Sequence, residues 1–197
     1  MKPLFSLPRL GALGLLCTTL SAHAHTGHGT HSLMEGLAHP FGADHLLAMV
    51  AVGVWSVNAL PARQAWQGPA SFMLALLTSA ALGAMGFTLP FLEHAIALSV
   101  VLFGAMLVLR QSLPQPIGLG LIAAAASLHG LAHGVEAPES GFTGYAFGFV
   151  LTTAALHLGG LGAGLGIRRW LADHSRLALG GMGAAMAGAG LYLFTQV

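Results

Sequence analysis

Two short stretches of this sequence set imidazoles and carboxylates among apolar residues. The first reads Gly36-Leu37-Ala38-His39-Pro40-Phe41-Gly42-Ala43-Asp44-His45-Leu46-Leu47-Ala48-Met49, and the second His129-Gly130-Leu131-Ala132-His133-Gly134-Val135-Glu136. An ionisable side chain in the middle of a bilayer costs about 2.5–3.5 kcal/mol on insertion scales, so it faces a bundle interior, a cavity or a partner. His129, His133 and Glu136 stand at i, i+4 and i+7, which puts all three on one stripe of a helix. Asp44 and His45 diverge by one helical step, and His39 lies off the face of His45 in a regular helix. Pro40 and Gly42 are expected to break the helix there and turn His39 back toward Asp44. Imidazole nitrogen with carboxylate oxygen, and no thiolate, suits borderline divalent ions such as Ni²⁺, Co²⁺ or Zn²⁺ without ranking them.

The elements that must hold these residues are membrane helices. Hydrophobic residues make up 55% of the chain, charged residues 7%, and the mean hydropathy is +0.78, against roughly 25% charged residues in a soluble domain. Seven Lys+Arg against six Asp+Glu leave no basic surface for nucleic acid. The 28 glycines suit helices packed closely in lipid. The methionines read as packing or lipid-facing residues rather than thioether ligands.

Residues 1–24 have the form of a cleavable secretory signal: Lys2 and Arg9, an apolar run from Leu10 to Leu20, and Ala22-His23-Ala24 at the cleavage site. The alternative is an uncleaved first span, for which the run is short. The single cysteine, Cys17, lies in this segment, so the mature chain has no thiol for a disulfide or a metal. A tail follows over 25–33, and six spans of about 20 residues are expected at 34–57, 69–88, 91–110, 116–135, 142–166 and 176–195. The fold class is thus all-α, a signal peptide followed by a six-helix transmembrane bundle. With the new N-terminus outside, Arg63, Arg110, Arg168, Arg169 and Arg176 all fall on the cytoplasmic side. Both termini are then periplasmic, in a multi-pass bacterial inner-membrane protein.

That topology brings the start of the first span and the end of the fourth to one depth. Glu93 and His94, at the start of the third span, share it, and His157 lies deeper as a later step on a metal pathway. A lone intramembrane histidine is also a common interhelical hydrogen-bond partner, which is the plainer reading of His94 and His157. Glu139 reads as a solvated loop charge. His25, His28 and His31 look like a metal-collecting tail; the plain alternative is a linker. Small-xxx-small pairs at Gly144/Gly148, Gly160/Gly164, Gly162/Gly166 and Gly180/Ala184 are expected to close helix contacts. The same holds for Gly159-Gly160, in preference to a role in lining a conduction path.

The two polar motifs resemble those of the HupE/UreJ family of hydrogenase and urease accessory membrane proteins, regarded as nickel or cobalt permeases. The resemblance rests on His39-Pro40, Asp44-His45-Leu46-Leu47-Ala48-Met49 with Ala51-Val52-Gly53, and His129-Gly130 with Ala132-His133-Gly134 and Glu136. It extends to the signal and the six-span plan. One departure is that His39 precedes Asp44 by five positions, one fewer than usual, a spacing that looks like the His-x4-Asp-His signature of a separate nickel/cobalt transporter family. The resemblance implies His39, Asp44, His45, His129, His133 and Glu136 as metal ligands, with Glu93 a weaker inclusion. It also implies Ni²⁺ or Co²⁺ as transported substrate, no organic cofactor, and import for metalloenzyme maturation. A non-transporting metal-binding accessory protein or sensor is the alternative. An intramembrane metalloenzyme would want a triad such as His-Glu-x-x-His, which is missing. A haem cytochrome could use transmembrane histidines, but Asp44 and Glu136 beside them favour a divalent ion. No Walker motif is present, and nothing in the sequence indicates an oligomer.

Overall fold

The computed structural model describes residues 32–138 and 141–197. The expected signal segment, the His25, His28 and His31 tail, and Glu139 lie outside them. Every regular element among the described residues is helical: α1 (Ser32–Ala38), α2 (Ala43–Ala59), α3 (Gln67–Ala84), α4 (Leu92–Leu109), α5 (Gln115–Val135), α6 (Phe142–Trp170) and α7 (Ser175–Phe194), with 3-10 turns at His39–Phe41, Ala62–Gln64 and Ala172–His174. Four stretches are long and apolar enough to cross a membrane: Leu92–Leu109, Gln115–Val135, Phe142–Trp170 and Ala172–Phe194. They become five when the bent pair Leu33–Phe41 and Ala43–Ala59 counts as one broken span. The protein is therefore a multi-pass helical bundle. The expected first span is not continuous: it bends by 72° where Pro40 enters the His39–Phe41 turn and takes a donor out of the helical ladder. α3 is as long as α4, but its Gln67-Gly68-Pro69 start dilutes its apolar character.

Small residues set the packing. A methyl group on Gly130 or Gly134 would lie 2.2 Å from Leu76 O or 2.1 Å from Ala80 O, and one on Gly83 would lie 2.4 Å from Leu131 O. At the other end Gly68 meets Ile122. Rising numbers on both sides make α3 and α5 parallel neighbours over their whole length. Gly53 likewise meets Gly160, and Gly164 meets Val54 and Val57, so α2 and α6 are parallel as well. Gly104 opposes Gly183 while Gly190 opposes Ala97 and Val101, so α4 and α7 are antiparallel. Of the expected small-residue pairs, Gly160/Gly164 faces a neighbouring helix, as does Gly148, which lies against Leu33. Gly159, Gly162 and Gly180 face open space among the described residues, because in each case the adjacent helix lies on another side. Gly183 and Gly190 carry the α7 contact instead.

These directions divide the molecule into two ends. The start of α2, the end of α5 and the start of α4 meet, with Leu92 and Ile96 packed on Ala132. The loop after α2, the end of α4, the end of α6 and the start of α7 form the opposite end, and all five arginines after residue 24 are found there. At that end Arg168 Nη1 donates to Val57 O at 2.9 Å. Gln115 Nε2 donates to both Gln64 Oε1 and Gln67 Oε1, at 2.8 and 2.7 Å. The core between the ends is apolar and tight, with Met49, Val52, Trp55, Phe72, Leu76, Ile122 and Leu107 all about fully buried.

Candidate metal site

The bend at Pro40 gives the first motif its shape. α1 leans on α6 where Gly36 and Gly148 remove the side chains between the two backbones, and Thr152 Oγ1 donates to Leu37 O at 3.0 Å. The turn then carries His39 over the end of α5, where its ring centroid lies 4.6 Å from that of His133 and 6.1 Å from that of His45. His39 Nε2 is 3.6 Å from Glu136 Oε2. One ligand atom each from His39, His133 and Glu136 lies within 4.8 Å of the others. Donors bound to a single ion at about 2.1 Å are separated by some 3–4 Å, so this His/His/Glu group closes by about an ångström around a metal. His39 turns toward His133 and Glu136, whereas the sequence suggested Asp44.

Below this group lie His45 and His129, both buried, with ring centroids 4.6 Å apart; His45 is 4.3 Å from His133. Their hydrogen bonds fix which nitrogen keeps a lone pair. His45 Nδ1 donates to Asp44 Oδ1 at 2.8 Å, and the same oxygen accepts the His45 backbone N–H at 2.9 Å. The ring's remaining acceptor is therefore Nε2, which is buried with no partner among the described residues. Ser99 Oγ donates to Ile96 O at 2.7 Å and so can only accept from His129 Nε2–H, 2.8 Å away, leaving Nδ1 of His129 as the buried, unpartnered acceptor. Both nitrogens of His133 are buried and without a partner among the described residues. Buried polar atoms are otherwise nearly always paired, because each orphan costs about 1–3 kcal/mol. Several such imidazole acceptors within one cluster make a donor set suited to a metal ion. A carboxylate behind a ligating imidazole also fixes its tautomer and raises its basicity, and that is where Asp44 stands.

His157 lies deeper. Its Nδ1 donates to Thr153 O at 2.8 Å, and its Nε2 is buried and unpartnered. Its backbone sits against Gly53, eight residues along α2 from His45, or about 12 Å. The fully buried ring of Phe72 comes between the two levels, 6.0 Å from His129 and 4.8 Å from His157. Glu93 and His94 have other surroundings: Glu93 is exposed, and the His94 ring packs on Phe91 and Phe194 at 5.9 and 4.9 Å. The reason is angular. Ser99 on α4 faces His129, and five residues earlier His94 points toward α7.

Ser99, Phe72, Tyr145 and Phe149 border the cluster but were missed in the sequence. Tyr145 and Phe149 stack at 6.2 Å and wall it on the α6 side, with Phe149 4.3 Å from His133. Aromatic residues and serine are common in membrane helices, so nothing in their spacing singles them out.

The chain matches the model of the HupE / UreJ protein family over residues 13–193. It is 37% identical over 181 residues to Protein HupE of Rhizobium leguminosarum bv. viciae, an alignment covering 91% of this chain and 94% of that protein. No solved structure matches. With a family match over nearly its full length, and with both polar motifs of that resemblance drawn into one His/His/Glu-bearing cluster, this multi-pass helical protein belongs to the HupE/UreJ family.

Proposed function

We propose that the protein is a permease that imports Ni²⁺ or Co²⁺ across the bacterial inner membrane for metalloenzymes such as urease or hydrogenase. Family membership supports a non-enzymatic accessory or permease role. The observation that carries the reading is the set of buried imidazole acceptors, on His45, His129 and His133, that have no partner among the described residues. In this scheme the ion enters at His39, His133 and Glu136, passes to His45 and His129, and leaves past His157. Asp44, accepting from His45 Nδ1–H, holds that imidazole with its Nε2 as the acceptor.

The reading takes six crossings, after a cleaved signal that lies outside the described residues. α3 lies along α5 from Gly68 to Gly83 and so crosses wherever α5 does, despite its polar start. The arginine-bearing end is then cytoplasmic and the ligand-bearing end periplasmic, with both termini outside. His25, His28 and His31 would raise the local metal supply at the mouth. A phosphatase reporter that became active when fused near Arg169 would contradict this orientation.

Uptake of radioactive nickel or cobalt into vesicles containing the purified protein tests the function. Saturable uptake that is lost in His133→Ala is the expected result. Tight metal binding with no uptake would make the protein a non-transporting accessory or sensor, and neither binding nor uptake would remove the metal reading altogether.

A further inference from the structure

At the end opposite the histidines, α4 and α7 enclose a second polar feature that metal handling does not use. Arg110, directly after α4, is 7% exposed and spends one guanidinium N–H on Leu107 O at 3.2 Å. No carboxylate lies within ion-pair distance of it among the described residues. The cavity beside it has a volume of about 410 Å³ and is lined by Val108, Arg110, Gln111, Ser112, Arg176 and Gly180. Arg176 lines the same cavity, so the two guanidiniums bring like charge to it. Two cations that repel one another therefore share a space with a hydroxyl and an amide and with no acid. Two other arginines of this end are arranged differently: Arg168 is bound to Val57 O, and Arg169 lies over the Trp170 ring at 5.3 Å.

A tetrahedral oxyanion satisfies such a lining. Its oxygens accept from two planar guanidiniums, which match phosphate geometry, and from Ser112 and Gln111, while its charge removes the repulsion. The position selects its source. Arg110 and Arg176 stand at the ends of two membrane-long helices, and the exposed Leu109 and Leu177 next to them offer apolar surface for acyl chains. We propose that the Arg110–Arg176 cavity binds the phosphate of an anionic phospholipid headgroup and so pins the α4–α7 pair at that membrane surface.

The test uses the full-length protein in nanodiscs of phosphatidylcholine, with phosphatidylglycerol of the same acyl chains added stepwise, and reads bound lipid by native mass spectrometry and unfolding temperature by tryptophan fluorescence. Phosphatidylglycerol is expected to be retained and to raise the unfolding temperature. Arg176→Gln, at an exposed position that tolerates change, is expected to weaken retention about fivefold, the effect of one basic residue near an anionic surface. Arg110→Lys keeps the charge but loses the planar fork and should fall between wild type and Arg176→Gln. Arg169→Gln removes a charge from the same end but outside the cavity and should behave as wild type. Equal losses from Arg169→Gln and Arg176→Gln would reduce the effect to surface charge and overturn the site. Equal stabilisation by the two lipids would also overturn it, as would an Arg176-dependent response to inorganic phosphate with none to phosphatidylglycerol.

Discussion

His39 Nε2 lies 3.6 Å from Glu136 Oε2, joining a residue just before the break in the first span to one just after the end of α5. Neither residue is in the regular part of its helix, and each reaches the other because its helix stops. His133, one turn back on α5, completes the group from the buried side. If these three hold the ion first, alanine at His133 should abolish high-affinity binding of Ni²⁺ or Co²⁺ measured by calorimetry on the purified protein. A second substitution at His39 should then add little, since residues acting as a unit are not additive. Additive losses would separate the two histidines into different sites.

Asp44→Asn isolates the orienting role. The amide keeps the size of the carboxylate but no longer fixes His45 Nδ1 as a charge-assisted donor, so metal affinity should fall about 10–100-fold, the usual range for a residue behind a ligand. An unchanged affinity would leave Asp44 a structural residue only.

Ser99→Ala tests the same logic at His129. Without the hydroxyl, His129 Nε2–H loses its acceptor and the ring is free to present either nitrogen, at a stability cost of about 1–3 kcal/mol for the orphaned group. Affinity should drop and recover in Ser99→Thr, provided the added methyl is accommodated. A drop in stability alone, with unchanged affinity, would remove His129 from the ligand set.

Much of the site could be read from the sequence because its key spacings are local. His129 and His133 keep their i, i+4 spacing in α5, Glu136 follows directly after its end, and alternating spans are enough to bring them near the start of α2. The break at Pro40 was visible, but its direction was not. The 72° bend depends on how Gly36 and Gly148 seat α1 on α6, a contact between residues more than a hundred positions apart. For the same reason Ser99 was missed while Glu93 and His94 were given a place in the pathway: sequence gives depth along α4 but not the rotation of α4 about its axis. α3 is a different case: the sequence suggests a span at 69–88, and the helix there, Gln67–Ala84, packs along α5 from Gly68 to Gly83, but it is not among the helices long and apolar enough to cross a membrane.

In the proposed import, Phe72 and His157 stand on the inward step. His157→Ala should leave metal affinity at the outer group unchanged and lower vesicle uptake by about tenfold, the effect of roughly 1.4 kcal/mol on the barrier. Removing the Phe72 ring entirely risks a core loss of about 3–5 kcal/mol, so the smaller Phe72→Leu change is preferable; it should raise the inward rate at unchanged affinity. Identical uptake in wild type and both variants would exclude this route.

Gly134→Ala would place a methyl 2.1 Å from Ala80 O and force α3 and α5 apart beside His133. Overpacking of this kind costs about 1–3 kcal/mol and should weaken metal binding together with stability. Gly162→Ala, where no described atom lies within 4 Å, should leave both intact, as checked by thermal unfolding and calorimetry.

The bend between Phe41 and Ala43 bears on timing as well as on shape. α1 and its turn carry one outer donor, His39, on a short arm, while His45 is rooted in α2 and His133 in α5. If the protein imports metal as proposed, an outward swing of this arm would withdraw a single ligand and leave the other imidazoles in register. The dwell time of an ion facing the exterior would then depend on that small element, and inward passage on the Phe72 ring held in the tightly packed core. Two lifetimes that a single rigid cage would tie together would become independently tunable, one by residues around Gly36 and Thr152 and the other by the packing of Phe72.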